Sequence, residues 1–153
     1  MVASFRYLGH ILTEDLTDDA DLERERRALA VRGNMIVRRF ARCSVEVKIL
    51  LFKAYCQSFY ASSLWVSHTR RAADVIRVQY NNVFRMLLRL PRYCSASAMF
   101  AEARTDGFHA IMRKKVASIF MRVRGSSNGI LKMIASRADC PIQRRWMDIV
   151  LGL

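Results

Sequence analysis

Ser4-Phe5-Arg6-Tyr7-Leu8-Gly9-His10-Ile11-Leu12-Thr13 is the stretch on which the fold turns. Its β-branched and aromatic residues flank a central glycine. This pattern predicts a short strand, a glycine-permitted bend or bulge, and a second short strand. Two short strands are not stable alone in water. They need a sheet or a helix to lie against, and no other segment of the chain reads as strand. An orphan strand pair of this kind is expected of a piece cut from a larger sheet. Everything downstream carries helical periodicity, so the expected fold is mainly α: a short N-terminal β-hairpin followed by a bundle of five or six helices.

Working outward, the next segment is acidic. Glu14, Asp15, Asp18, Asp19, Asp21, Glu23 and Glu25 supply seven of the 13 acids. Residues 1–25 carry a net −5 and residues 26–153 a net +18. Thr17-Asp18-Asp19 has the form of a helix N-cap, and acids in a first turn complement the helix dipole. The helix it opens is expected to run to Ala41. Leu22, Leu29, Ile36 and Phe40 fall within about 40° of one another on its wheel. Arg24, Arg27, Arg38 and Arg42 gather on the opposite side as a stripe with no interleaved acid. Ser44 is expected to cap a second helix over Val45–Ser63, apolar nearly all round except for a strip at Lys48 and Lys53, and therefore central to the core.

A third helix is expected from Thr69 to Leu88, with the seam Ile76, Tyr80, Val83, Leu87 and Leu90. It ends before Pro91, because the residue preceding proline disfavours the α conformation. Arg85, Arg89 and Arg92 follow one another at spacings of four and three, so at least two of the three share its exposed side. Shorter helices are expected from Ser95 to near Arg104, from Gly107 to Arg124, and from the Gly125–Gly129 turn through Ala135. The final Gln143–Leu153 reads as a weak or frayed helix.

Composition narrows the function classes. The chain has 153 residues, a net charge of +13 and 52% hydrophobic residues, which excludes a wholly disordered basic tail. Its best apolar run, Ala54 to Ser67, is shorter than the roughly 20 residues a membrane span requires. The N-terminus lacks the basic-then-apolar pattern of a secretory signal, so an intracellular location, nuclear or cytoplasmic, is expected rather than secretion. Cys43, Cys56, Cys94 and Cys140 form no C-x-x-C pair, and His10, His68 and His109 stand apart. No zinc site is expected, and the cysteines read as small core hydrophobes. Asp18-Asp19 is the one adjacent acid pair, but its flanks are those of a helix start rather than of a metal-binding turn between strands. No phosphate loop or nucleophile motif occurs. What remains is charge: 21 Arg against five Lys, with forked guanidiniums suited to phosphate. Phe40, Phe52, Tyr55, Phe59, Trp65, Tyr80 and Phe120 lie on core stripes, so backbone binding is expected rather than base stacking.

Several stretches, taken in order, resemble the reverse transcriptases of non-LTR (LINE-type) retrotransposons in the region after the catalytic palm. They are Phe5 through Leu12, the acidic-to-arginine helix, Arg39-Phe40-Ala41-Arg42-Cys43-Ser44 with Lys48 through Tyr55, and Val78-Gln79-Tyr80-Asn81-Asn82 with Phe84-Arg85. Leu90-Pro91-Arg92, Ser95 through Phe100 and the Ser126-Ser127-Asn128 turn complete the series. The resemblance implies that residues 1–13 are the end of a palm with a primer-grip-like hairpin. It implies a thumb-like helical domain over 14–124 and a C-terminal helical extension over 125–153. Tyr7, Gly9, Arg24, Arg27, Arg38, Arg42, Lys48, Arg85 and Arg89 are then the expected nucleic-acid contacts. The implied partners are an RNA/DNA primer–template duplex and the fingers and palm of the same polyprotein, with no membrane and no small-molecule substrate. The family's polymerase aspartates and their magnesium belong upstream of this stretch, so no cofactor and no polymerase activity are expected of this chain alone. An alternative from another class is a basic helical protein-interaction module without a nucleic-acid role.

Overall fold

The computed structural model describes residues 3–152. The first two residues of the expected hairpin segment and the last of the expected terminal helix lie outside them. β1 (Ser4–Tyr7) pairs antiparallel with β2 (His10–Thr13), Tyr7 opposite His10. Leu8 and Gly9 form a two-residue turn with φ of 46° and 84°, the left-handed pair that matches hairpin twist. Only glycine fits comfortably at Gly9, because a Cβ there would also lie 3.2 Å from the Tyr60 ring. The hairpin has no third strand among the described residues and lies against the start of α1 (Asp19–Arg39). The expected mainly α fold with an N-terminal hairpin is thus observed. It is completed by α2 (Val45–Cys56), a 3-10 turn (Ser62–Leu64), α3 (Arg70–Leu88), α4 (Ala96–Glu102), α5 (Phe108–Arg124), α6 (Gly129–Ser136) and α7 (Pro141–Leu151).

The chain divides into two compact units. One comprises the residues up to Tyr60 together with Ser67–Phe108; the other comprises Ala61–Val66 and the residues from His109 on. The first unit is centred on Tyr80, whose buried ring lies 5.0 Å from Phe52, 5.6 Å from Phe59 and 5.4 Å from Phe100. Its hydroxyl donates to Asp106 O at 2.8 Å and accepts from Gln57 Nε2 at 3.0 Å. Burial pushes the Tyr80 pKa well above its usual range, so the hydroxyl keeps its proton for that bond. In the second unit Val116, Val123 and Trp146 are buried, with Phe120, Leu131 and Ile134 against them. Trp146 Nε1 donates to Ser63 O at 2.7 Å. Asn128 caps α6, and α7 is a regular helix opened by Pro141.

Two expectations for α2 are corrected. The helix stops at Cys56 rather than continuing to Ser63, because tertiary partners draw the next residues out of it. Gln57 reaches the Tyr80 hydroxyl, Tyr60 covers Gly9, and Phe59 packs on Tyr80 and Phe108. The chain makes this path through left-handed Phe59 and Ala61. Nor is α2 central: only Phe52 and Cys56 are buried, while Val47, Tyr55 and Leu50 (64% accessible) face outward. All four cysteines are free, and burial holds the Cys56 thiol up at about 12.

α1 and α3 pack closely at Gly33. A Cβ there would lie 2.6 and 2.8 Å from the two Val83 methyl carbons. Gly33→Ala gains about 1 kcal/mol of helix propensity, but pushing a methyl into a stiff β-branched neighbour costs about 1–3 kcal/mol. A net loss is expected in urea unfolding. Adding Val83→Ala is expected to cost less than the two single losses together, because the new methyl then fills the space.

Candidate nucleic-acid interface

The acidic segment does more than start a helix. Asp18 stands at the α1 N-cap without a side-chain capping bond. Its Oδ2 instead accepts from Ser67 N at 2.9 Å, and Asp19 accepts from Thr69 N and Oγ1 at 2.7 and 2.8 Å. Asp21 and Glu25 are buried. Asp21 accepts from Ile11 N at 3.0 Å and from Arg24 Nε at 2.7 Å; Glu25 pairs with Arg24 and Arg32. His10 stands between Asp18 and Asp21, with Nε2 at 3.4 Å and Nδ1 at 3.1 Å from their oxygens. This ionic clasp fastens the hairpin and the segment before α3 to the first turns of α1. Among the described residues no three His, Cys, Asp or Glu side chains form a metal-holding group.

The clasp also sets the direction of the helices. Asp19 meets Thr69 at the two N-termini, and Gly33 meets Val83 at the same 50-residue offset. α1 and α3 therefore run parallel, and their C-termini lie at one end. α2 runs back between them: Phe52 packs on Phe84 and Tyr80, and Gln57, further along, reaches Tyr80. Its N-terminus, with Ser44 accepting from Val47 N, starts at that same end.

This arrangement sorts the nine expected contact residues. Arg38, Arg42, Lys48 and Arg89 are collected at the C-terminal end of α1 and α3, and none has an acidic partner among the described residues. Arg39 and Arg92, which the contact set omits, are exposed at the same end. Arg85, a turn before, is half-buried and donates to Cys94 O at 3.1 and 2.9 Å. Tyr7 and Gly9 are in the hairpin at the opposite end. Arg24 is on that side, 14 residues before Arg38 and about 21 Å away along the helix, whereas Arg27 sits near the middle of α1, about 16 Å before Arg38.

The expected acid-free arginine stripe on α1 is corrected at these two positions. Arg24 is half-buried in the clasp, and the Asp21 hydrogen bond raises its pKa. Arg27, though 74% exposed, pairs with Glu23 at 2.8 Å. Hydrogen bonds from Arg26 and Arg27 hold the Glu23 carboxyl down at about 2. The wheel missed these partners because residues three and four apart share a helix face whatever their nominal stripe.

Helix dipoles account for part of the basic end. Cations near a helix C-terminus are stabilised by about 0.3–1 kcal/mol each, which suits Arg38 and Arg39. Arg42 and Arg92 lie beyond the last helical turns, and Lys48 sits near the start of α2, where the dipole disfavours a cation. The helix dipoles therefore do not account for Arg42, Arg92 and Lys48 at this end. A groove between the first turns of α1 and α3, about 410 Å³ in volume, mixes Asp19 and Glu23 with Arg26 and Arg71 and holds no convergent catalytic set.

The chain matches no protein-family model, no curated protein and no solved structure. No helix among the described residues is long and apolar enough to cross a membrane.

Proposed function

We propose that this chain grips nucleic-acid backbone with the basic end of its first unit, as the thumb-like part of a non-LTR-type reverse transcriptase, and does not polymerise by itself. The observation that carries the reading is the gathering of Arg38, Arg39, Arg42, Lys48, Arg89 and Arg92 at one end, without acidic partners among the described residues. Phosphates are the ligand such a group suits: forked guanidiniums take two phosphate oxygens at once, and the positive field draws a polyanion in. The ordered resemblance along the chain supports the same reading and names the duplex as primer–template.

A salt titration of binding to an RNA–DNA hybrid duplex tests it. Six phosphate contacts predict that log affinity falls against log salt with a slope of about −5, a loss of about three orders of magnitude between 50 and 200 mM. No binding at low salt, or a flat response, contradicts the reading. A second reading is favoured by the outward apolar face of α2, formed by Val47, Leu50 and Tyr55: a protein-docking module would use that face and show no duplex affinity at any salt.

A further inference from the structure

Tyr93 is the most exposed large apolar side chain among the described residues, 91% accessible, with no ring partner. Leaving an aromatic ring in water forgoes its burial energy, and this one does nothing for the core. Its setting is nevertheless well built. Cys94 N donates to Pro91 O at 3.1 Å, closing a tight turn with Arg92 and Tyr93 at its corners. Leu90 N donates back to Arg85 O at 2.8 Å, tying the turn to the end of α3. The Arg85 guanidinium grips Cys94 O with Nε and Nη2 and also donates to Asn82 Oδ1 at 3.1 Å. Pro91 stiffens the entry to the turn. An arginine that could have faced solvent thus holds the turn, and the turn holds out a ring next to the exposed Arg92, at the basic end.

We infer that Tyr93 is a stacking platform for an unpaired base, so that the basic end recognises the place where duplex gives way to single strand. The inference rests on the backbone-binding reading and adds a substrate feature to it. Every base has a π-face, so an aromatic ring beside phosphate-binding arginines takes any base without reading its sequence. Because the turn is already ordered, stacking does not have to organise a loop first.

The experiment compares the full chain and two variants on two probes: a blunt RNA–DNA duplex and the same duplex with a three-nucleotide single-stranded DNA overhang. The expected result is about tenfold tighter binding to the overhang probe. Tyr93→Ala abolishes that preference while leaving blunt-duplex affinity and its salt slope unchanged, and Tyr93→Phe retains it because the ring suffices. The side chain is exposed, so neither variant threatens the fold. Wild-type binding to both probes with equal affinity overturns the stacking role alone. So does a preference that survives in Tyr93→Ala, or one lost equally in Tyr93→Phe, which would assign it to the hydroxyl. Failure of the wild type to bind even the blunt duplex at low salt overturns the backbone-binding reading, and this inference with it.

Discussion

Asp21→Ala is expected to cost about 2–4 kcal/mol of folding free energy, a large share of the 5–15 kcal/mol that domains of this size possess. The carboxylate is fully buried. One oxygen accepts from the Ile11 amide and from Arg24 Nε; the other lies 3.1 Å from His10 Nδ1 and accepts from Arg24 Nη2 at 3.3 Å. Alanine would strand the Ile11 backbone donor and take one acid each from Arg24 and His10, which keep Glu25 and Asp18 beside them. The stranded amide and the lost charge-assisted hydrogen bonds make the substitution severe. Urea unfolding measures the loss, and amide exchange at Ile11 should show the hairpin released before the helices unfold. A loss below about 1 kcal/mol would mean that the hairpin is held by its strands and not by the clasp.

The same clasp marks where the sequence was legible and where it was not. The hairpin, the extents of α1 and α3, and the cap at Ser44 follow from short-range signals: a glycine turn, apolar spacing, and a hydroxyl before an apolar run. Asp21 and Glu25 share the buried face with Leu22 and Leu29. A pattern that equates charge with solvent cannot see them, because they are buried only by virtue of Arg24, Arg32 and the Ile11 amide. The break after Cys56 escaped for a related reason, since Gln57, Phe59 and Tyr60 answer to residues distant in the chain. At the basic end the individual cations could be named from the sequence, but their convergence could not. It depends on α1 and α3 lying parallel at a constant offset, which no local pattern encodes. That geometry separates Arg38, Arg42, Lys48 and Arg89 from Arg24 and Arg27, which belong to ion pairs in the first half of α1.

The second large effect is expected from reversing charge at the basic end. Arg38→Glu, Arg42→Glu and Arg89→Glu together exchange three phosphate contacts for three repulsions. Duplex affinity should fall at least about a thousandfold near 0.1 M salt, and the magnitude of the salt slope should drop by about three. All three side chains are exposed, so each change should shift stability by no more than about 1 kcal/mol, chiefly through the helix-end dipoles. Arg27→Glu is the matched control. Its side chain is also exposed, but it pairs with Glu23 near the middle of α1, about 16 Å before Arg38 along the helix, and its reversal should change affinity only through the weaker, salt-screened field. The measurement that tests the account most directly is therefore duplex affinity for these two proteins at matched salt, with folding checked on the same samples. The account predicts that the folded triple variant no longer binds while Arg27→Glu still does; equal losses in both, or duplex binding that survives the triple reversal, would contradict it.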